Sequence, residues 1–155
     1  MNYIKYSWIL FLFLNFTALF VGSLLMGNGV SSSWFANLNQ APWNPPGWMF
    51  GVAWTTIMIS FSFYAAVLLN KLKTIRGMLL LYFLQLVLNI AWNPTFFYFQ
   101  NVGLGLIIIS LLTVLIGYFL FRYKKVLGYY TLLILPYFLW LIVATSLNMY
   151  IFFAN

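Results

Sequence analysis

Three stretches of this chain place polar and aromatic side chains at spacings that gather them on one helix face. Tyr82, Gln85, Asn89, Trp92 or Asn93, and Phe96 recur at three- and four-residue intervals, the period that aligns side chains along an α-helix. Phe50, Trp54 and Met58 do the same, as do Tyr137, Trp140, Ala144 and Asn148. Such faces offer flat ring walls, indole N–H donors and amides, with the small Ala144 leaving room beside Trp140. Two readings stay open. The faces could hold helices together through hydrogen bonds, each worth about 1 kcal/mol, or they could wall a ligand cavity.

The residue types that are missing narrow the chemistry further. The chain has no Asp, Glu, His or Cys. An ordinary metal site would lack its ligands, so no metal-binding residue is expected. No carboxylate pair exists for general acid–base work, and no carboxylate or imidazole exists to relay protons within a membrane. No catalytic residue stands out. Trp54 and Trp140 are the candidates only if a light-absorbing substrate does the hard chemistry and needs redox partners.

The elements that must position these faces follow from composition. The chain is 65% hydrophobic and only 5% charged, against about 25% charged in a soluble domain. Lipid must therefore be its solvent. A helix needs roughly 20 apolar residues to cross a bilayer, and five stretches of suitable length are present, at 8–26, 45–69, 78–99, 104–121 and 129–153. The first is too long for the apolar region of a signal peptide and has no clean small-x-small cleavage site, so it reads as a retained helix. Ala18 and Gly22 in it form a small-x-x-x-small pair for close helix contact. Asn44 is expected to cap the second helix, with Pro45-Pro46 in its first turn. Pro94 and Pro136 are expected to bend the third and fifth helices. The fold class is an all-α membrane protein, one domain over 1–155, a bundle of five transmembrane helices.

Residues 27–44 make the one long connection, uncharged and studded with Trp34, Phe35 and Trp43. Loops of that length are usually functional or disordered, and three aromatics argue against disorder. We expect a lid over one mouth of the bundle, with Trp34 and Trp43 packing inward and Trp43 at the cavity rim. Trp usually gathers at membrane interfaces, and interfacial anchoring is the other reading of Trp34 and Trp43 and the reading of Trp8.

All seven Lys and Arg residues fall on one side of five alternating crossings: Lys5, then Lys71, Lys73 and Arg76, then Arg122, Lys124 and Lys125. The positive-inside rule places the N-terminus in the cytoplasm and the C-terminus outside. A net charge of +7 does not imply nucleic acid here, because that needs a basic stripe on a water-exposed face.

Three blocks of sequence also resemble the TspO/MBR family, the tryptophan-rich sensory and translocator proteins. They are Pro42-Trp43-Asn44-Pro45-Pro46-Gly47-Trp48-Met49-Phe50-Gly51-Val52-Ala53-Trp54, the third-helix block Gln85 to Phe97 with Asn89, Trp92, Asn93 and Pro94, and the fifth-helix block Leu135 to Asn148. The resemblance implies a five-helix bundle, often a homodimer, with a cavity near the first loop that binds porphyrins. It puts cavity residues at Pro45, Phe50, Trp54, Asn89, Trp92, Trp140, Ala144 and Leu147, largely on the faces found above. Together with Trp43, Phe96 and Tyr137 these form the expected ligand site. The family's terminal cholesterol motif is missing, since Tyr150 is followed only by Ile-Phe-Phe-Ala-Asn. A loose copy at Leu120, Tyr123 and Lys125 carries little weight, and cholesterol binding is not expected.

The expected function is binding of a tetrapyrrole in an aromatic intramembrane slot, in sensing or transport. The alternative is light-dependent porphyrin oxidation. With no His or Cys, haem iron would lack its usual axial ligands, so free-base porphyrin or a similar flat apolar molecule is the expected ligand, and no resident cofactor is required. The bilayer is the other expected partner. The orientation is testable because the chain has no Cys: in Asn37→Cys and Leu72→Cys variants, an impermeant thiol reagent added outside should label position 37 and spare 72. The opposite pattern would invert the topology.

Overall fold

The computed structural model describes residues 2–155; Met1 and the side chains of Asn2, Tyr3 and Lys5, including the first of the seven charges, lie outside the described residues. Helix α1 spans Asn2–Leu25. A 3₁₀ turn at Gly29–Ser31 and a single helical turn, α2 (Ser33–Ala36), follow. Then come α3 (Gly47–Lys71), α4 (Arg76–Asn93) with a π turn at Pro94–Tyr98, and α5 (Val102–Leu127). A 3₁₀ segment at Gly128–Ile134 runs directly into α6 (Leu135–Ala154).

The helical run Val102–Ala154 is continuous over 53 residues, far too long for one crossing. It turns back at Gly128, whose φ of +58° is open to glycine at little cost. Five crossings result, those of α1, α3, α4, α5 and α6. Helix α1 packs on α3 and α4, α5 packs on α4 and α6, and the ring closes chiefly where the 3₁₀ start of the last helix meets α3.

The outer surface is apolar, with Phe13, Phe83, Val114 and Phe121 exposed. The described cations gather at one end, and Lys71 Nζ reaches the Val126 carbonyl at 3.4 Å, joining the α3 end to the α5 end. Arg122, Lys124 and Lys125 ride on the last turns of α5, which is longer than the pattern 104–121 predicts.

Polar side chains tie the helices together inside. Asn15 of α1 donates to Ser62 Oγ of α3 at 2.8 Å and accepts from the Tyr82 hydroxyl of α4 at 2.7 Å. Thr113 and Thr145 join α5 to α6 at 2.8 Å, and the Tyr64 hydroxyl donates to the Phe119 carbonyl. The small pair in α1 has the expected role: Ala18 is buried, and a Cβ at Gly22 would stand 2.7 Å from Asn93 Nδ2.

Three local expectations are corrected. Asn44 does not cap α3. The helix starts at Gly47 with Pro46 in the cap position, and the Asn44 amide donates to Gln40 Oε1 instead. Pro136 does not kink a formed helix. It lies in the first turn of α6, where a missing N–H costs little, and the irregularity precedes it as the 3₁₀ segment. Trp8 is half-buried against Phe63 with its indole N–H enclosed, which is packing rather than headgroup anchoring. Pro94 disturbs the ladder as expected: the Phe99 N–H bonds to the Pro94 carbonyl five residues back, forming the π turn.

Asn15→Leu should cost about 1–2 kcal/mol, because it strips partners from two other helices at once. Thermal melting in detergent would measure it, and an unchanged midpoint would mean that the contact contributes nothing.

Candidate ligand site

Helix α3 is packed unevenly. From Ile57 to Leu68 nine of its residues are buried, whereas none from Gly47 to Thr56 is. Its first half therefore stands away from the bundle and leaves a seam against α6. Phe50 meets Trp140 edge to face at 5.2 Å, and Trp54 meets Tyr137 at 6.2 Å. A groove of about 280 Å³ lies on this seam, between Ala53, Thr56 and Ile57 of α3 and Pro136, Trp140 and Val143 of α6. The Trp140 indole N–H is buried and has no partner among the described residues. Such a donor costs free energy until something accepts from it.

Of the expected ligand-site residues Trp140 alone lines this groove, while deeper in the bundle Asn89 and Tyr137 belong to a hydrogen-bonded floor. Asn89 donates to the Tyr137 hydroxyl at 3.0 Å, and that hydroxyl donates to Gln85 Oε1 at 3.1 Å. Tyr137 is fully buried and Asn89 nearly so. The Gln85 amide N–H₂ is left without a partner among the described residues. Ala144 and Leu147 are buried on the same face of α6. Trp92 donates to Asn148 Oδ1 at 3.2 Å and stacks on Phe96 at 5.5 Å. The α4 face is a row of interhelical bonds, as the first of its two readings has it, and none of its residues lines the groove.

Phe96 faces the loop more than the groove. With Phe97 and Ile151 it forms a second small core, covered by Trp34, Phe35 and Leu38. Trp34 meets Phe96 at 5.6 Å, and Phe35 meets Phe97 at 5.4 Å. The Ser32 hydroxyl accepts from the Phe35 N–H and caps the single turn α2. The loop is thus a folded cover, inward-packed at Trp34 as expected.

Trp43 departs from that expectation. It is 54% exposed and lies along the outside of α6, donating to Ser146 Oγ at 3.1 Å beside the Tyr150 ring. The reason is the latch that precedes it. The Asn39 N–H donates to Asn155 Oδ1 at 2.8 Å and its amide to the Ala154 carbonyl at 3.0 Å, while Asn155 donates back to the Asn39 carbonyl. This fixes the loop at the end of α6, and the following residues run along that helix to a half-buried Pro45.

Sequence reasoning missed Asn39, Ala53, Thr56, Ser146 and Asn155. Only the groove and the latch reveal them, since each belongs to a pairing between distant parts of the chain. Asn15, another omission, carried a visible signal as a lone amide in an apolar helix.

The chain matches the model of the TspO/MBR family over residues 9–154. It is 30% identical over 115 residues to a "Tryptophan-rich sensory protein" of Cereibacter sphaeroides, covering 74% of this chain and 72% of that one. It is 31% identical over 141 residues to a "Tryptophan-rich protein TspO" of Archaeoglobus fulgidus, covering 88% of each. It is 29% identical over 133 residues to a human "Translocator protein", covering 83% of this chain and 78% of that one.

Asn39→Ala removes one amide from the latch. Deuterium uptake across residues 33–44 should speed up about five- to tenfold, the effect of about 1 kcal/mol of local stability. Unchanged exchange would show that Trp34 and Phe35 hold the loop unaided.

Proposed function

The chain belongs to the TspO/MBR family, and from that premise we propose that this integral membrane protein binds a flat tetrapyrrole at the α3–α6 seam and acts in sensing or transport. The observation that carries this reading is the buried, partnerless Trp140 indole N–H beside the loosely packed first half of α3. A macrocycle entering between Phe50, Trp54 and Trp140 would cover their faces and supply the missing acceptor. Ligand pockets usually measure about 300–1,000 Å³, and the groove holds about 280 Å³. Binding on this reading moves the first half of α3 outward, the part that gives up least packing. The Gln85–Asn89–Tyr137 floor stays in place.

Nothing in the floor is an acid or a base at neutral pH, so the protein's contribution is shape, ring contact and neutral hydrogen bonding. Free-base porphyrin suits such a site. The orientation with the basic end in the cytoplasm belongs to this reading as well, and puts the folded loop on the extracytoplasmic side, where it limits exchange.

Trp140→Ala should weaken free-base protoporphyrin binding by about 1.5–3 kcal/mol, or about 10- to 150-fold. Trp48→Ala, at a ring 67% exposed, should change it little. Tryptophan fluorescence titration would measure both, and equal losses would sink the seam as the site. The same samples under illumination separate binding from chemistry: a defined product spectrum that disappears with Trp54→Phe or Trp140→Phe would favour photo-oxidation instead.

A further inference from the structure

The geometry points to a binding site for an anionic phospholipid on the outer face of the α5–α6 pair, with its acyl chain in a groove and its phosphate on Lys124 and Lys125. The groove holds about 490 Å³ and is lined by Thr113, Val114, Gly117, Tyr118, Phe121 and Phe138. Its depth depends on glycine at position 117, where a Cβ would stand 3.1 Å from the Phe138 ring. Val114, 71% exposed, and the exposed Tyr118 and Phe121 form its outer flank. An apolar trough that faces hydrocarbon along its length is shaped for a lipid tail.

What distinguishes this trough is the charge at its end. Val114, Tyr118, Phe121 and Lys125 follow one another at four-, three- and four-residue steps along α5, so Lys125 stands on the face that carries the groove. Lys124 is tied to the same place: its Nζ lies 5.7 Å from the centre of the Phe121 ring, itself a wall of the groove. Both lysines are exposed. The chain has no acidic residue to neutralise them. The Lys71 ammonium also rests over a ring, that of Tyr130, and in addition reaches the Val126 carbonyl. A tail seated in the trough would bring its phosphate to the level of Lys124 and Lys125. Two cations with no internal anion would then select a net negative headgroup over a zwitterionic one, at about fivefold in affinity per lysine.

The test uses the full chain in a neutral maltoside detergent, titrated with phosphatidylglycerol or phosphatidylcholine and read by native mass spectrometry. Phosphatidylglycerol should be retained in preference. Lys124→Gln with Lys125→Gln should weaken its retention about 25-fold. Val114→Phe, which fills the trough from an exposed position, should also abolish it, and Tyr118→Trp serves if that variant does not fold. Lys73→Gln with Arg76→Gln, at the other basic loop, should leave retention within about threefold. Equal retention of the two lipids would overturn the proposal. So would an equal loss from the Lys73/Arg76 pair, which would mean diffuse surface charge, or no effect of Val114→Phe. A change of oligomeric state with Val114→Phe would assign the face to a second copy of the chain instead.

Discussion

In hydrocarbon every polar group must find its partner inside the protein, and this chain meets most of that demand without a carboxylate, an imidazole or a thiol, leaving buried donors on Trp8, Gln85 and Trp140 without a partner among the described residues. Neutral amides and hydroxyls do the joining. Asn15 links three helices through Ser62 and Tyr82, and Tyr137 gathers Asn89 and Gln85 from α4. Each bond is worth about 1 kcal/mol or less, so the bundle is held by several modest contacts spread along its length rather than by one strong one. Removing acids from the membrane also removes any need to desolvate a charge. The cost is that carboxylates, imidazoles and thiols are missing as acid–base groups and as metal ligands.

That distribution sets where the bundle can yield. The polar contacts and ring stacks are dense between α1, α4 and the second half of α3, where Phe61 touches Tyr64, Tyr82, Phe119 and Tyr137. The first half of α3 has no buried residue. A rigid floor beside a loosely held wall is a workable design for a binding seam, since only the wall must move. The loop adds a second restraint at the same end, gripping α4 through Trp34 and Phe35 and α6 through Asn39.

At the opposite end the physics is different. Cations concentrate there with nothing negative in the chain to meet them. Some are turned onto rings, as with Lys71 over Tyr130 and Arg122 over Tyr123, an attraction that persists where carboxylates are lacking. Lys124 lies over Phe121 in the same way, and both it and Lys125 are exposed. The two ends of the protein thus differ in kind: one is packed with uncharged aromatics, the other carries the described cations.

The sequence by itself determined the number of crossings, the one-sided charge and the buried face of α4, because each is a matter of local period or of counting. Tyr82, Gln85, Asn89 and Phe96 are buried as their spacing requires. It also carried the family resemblance, since the Pro42–Trp54, Gln85–Phe97 and Leu135–Asn148 blocks are contiguous. Only the tertiary structure decided which partner each polar group takes. Asn15 pairs with residues 47 and 67 positions away, and no periodicity encodes such a choice. The same holds for Trp43, whose indole turns outward to Ser146, 103 positions on, because Asn39 and Asn155 fix the path of the loop first. It holds equally for the seam itself, a property of how little α3 packs before Ile57, which depends on where α6 lies and not on what α3 contains.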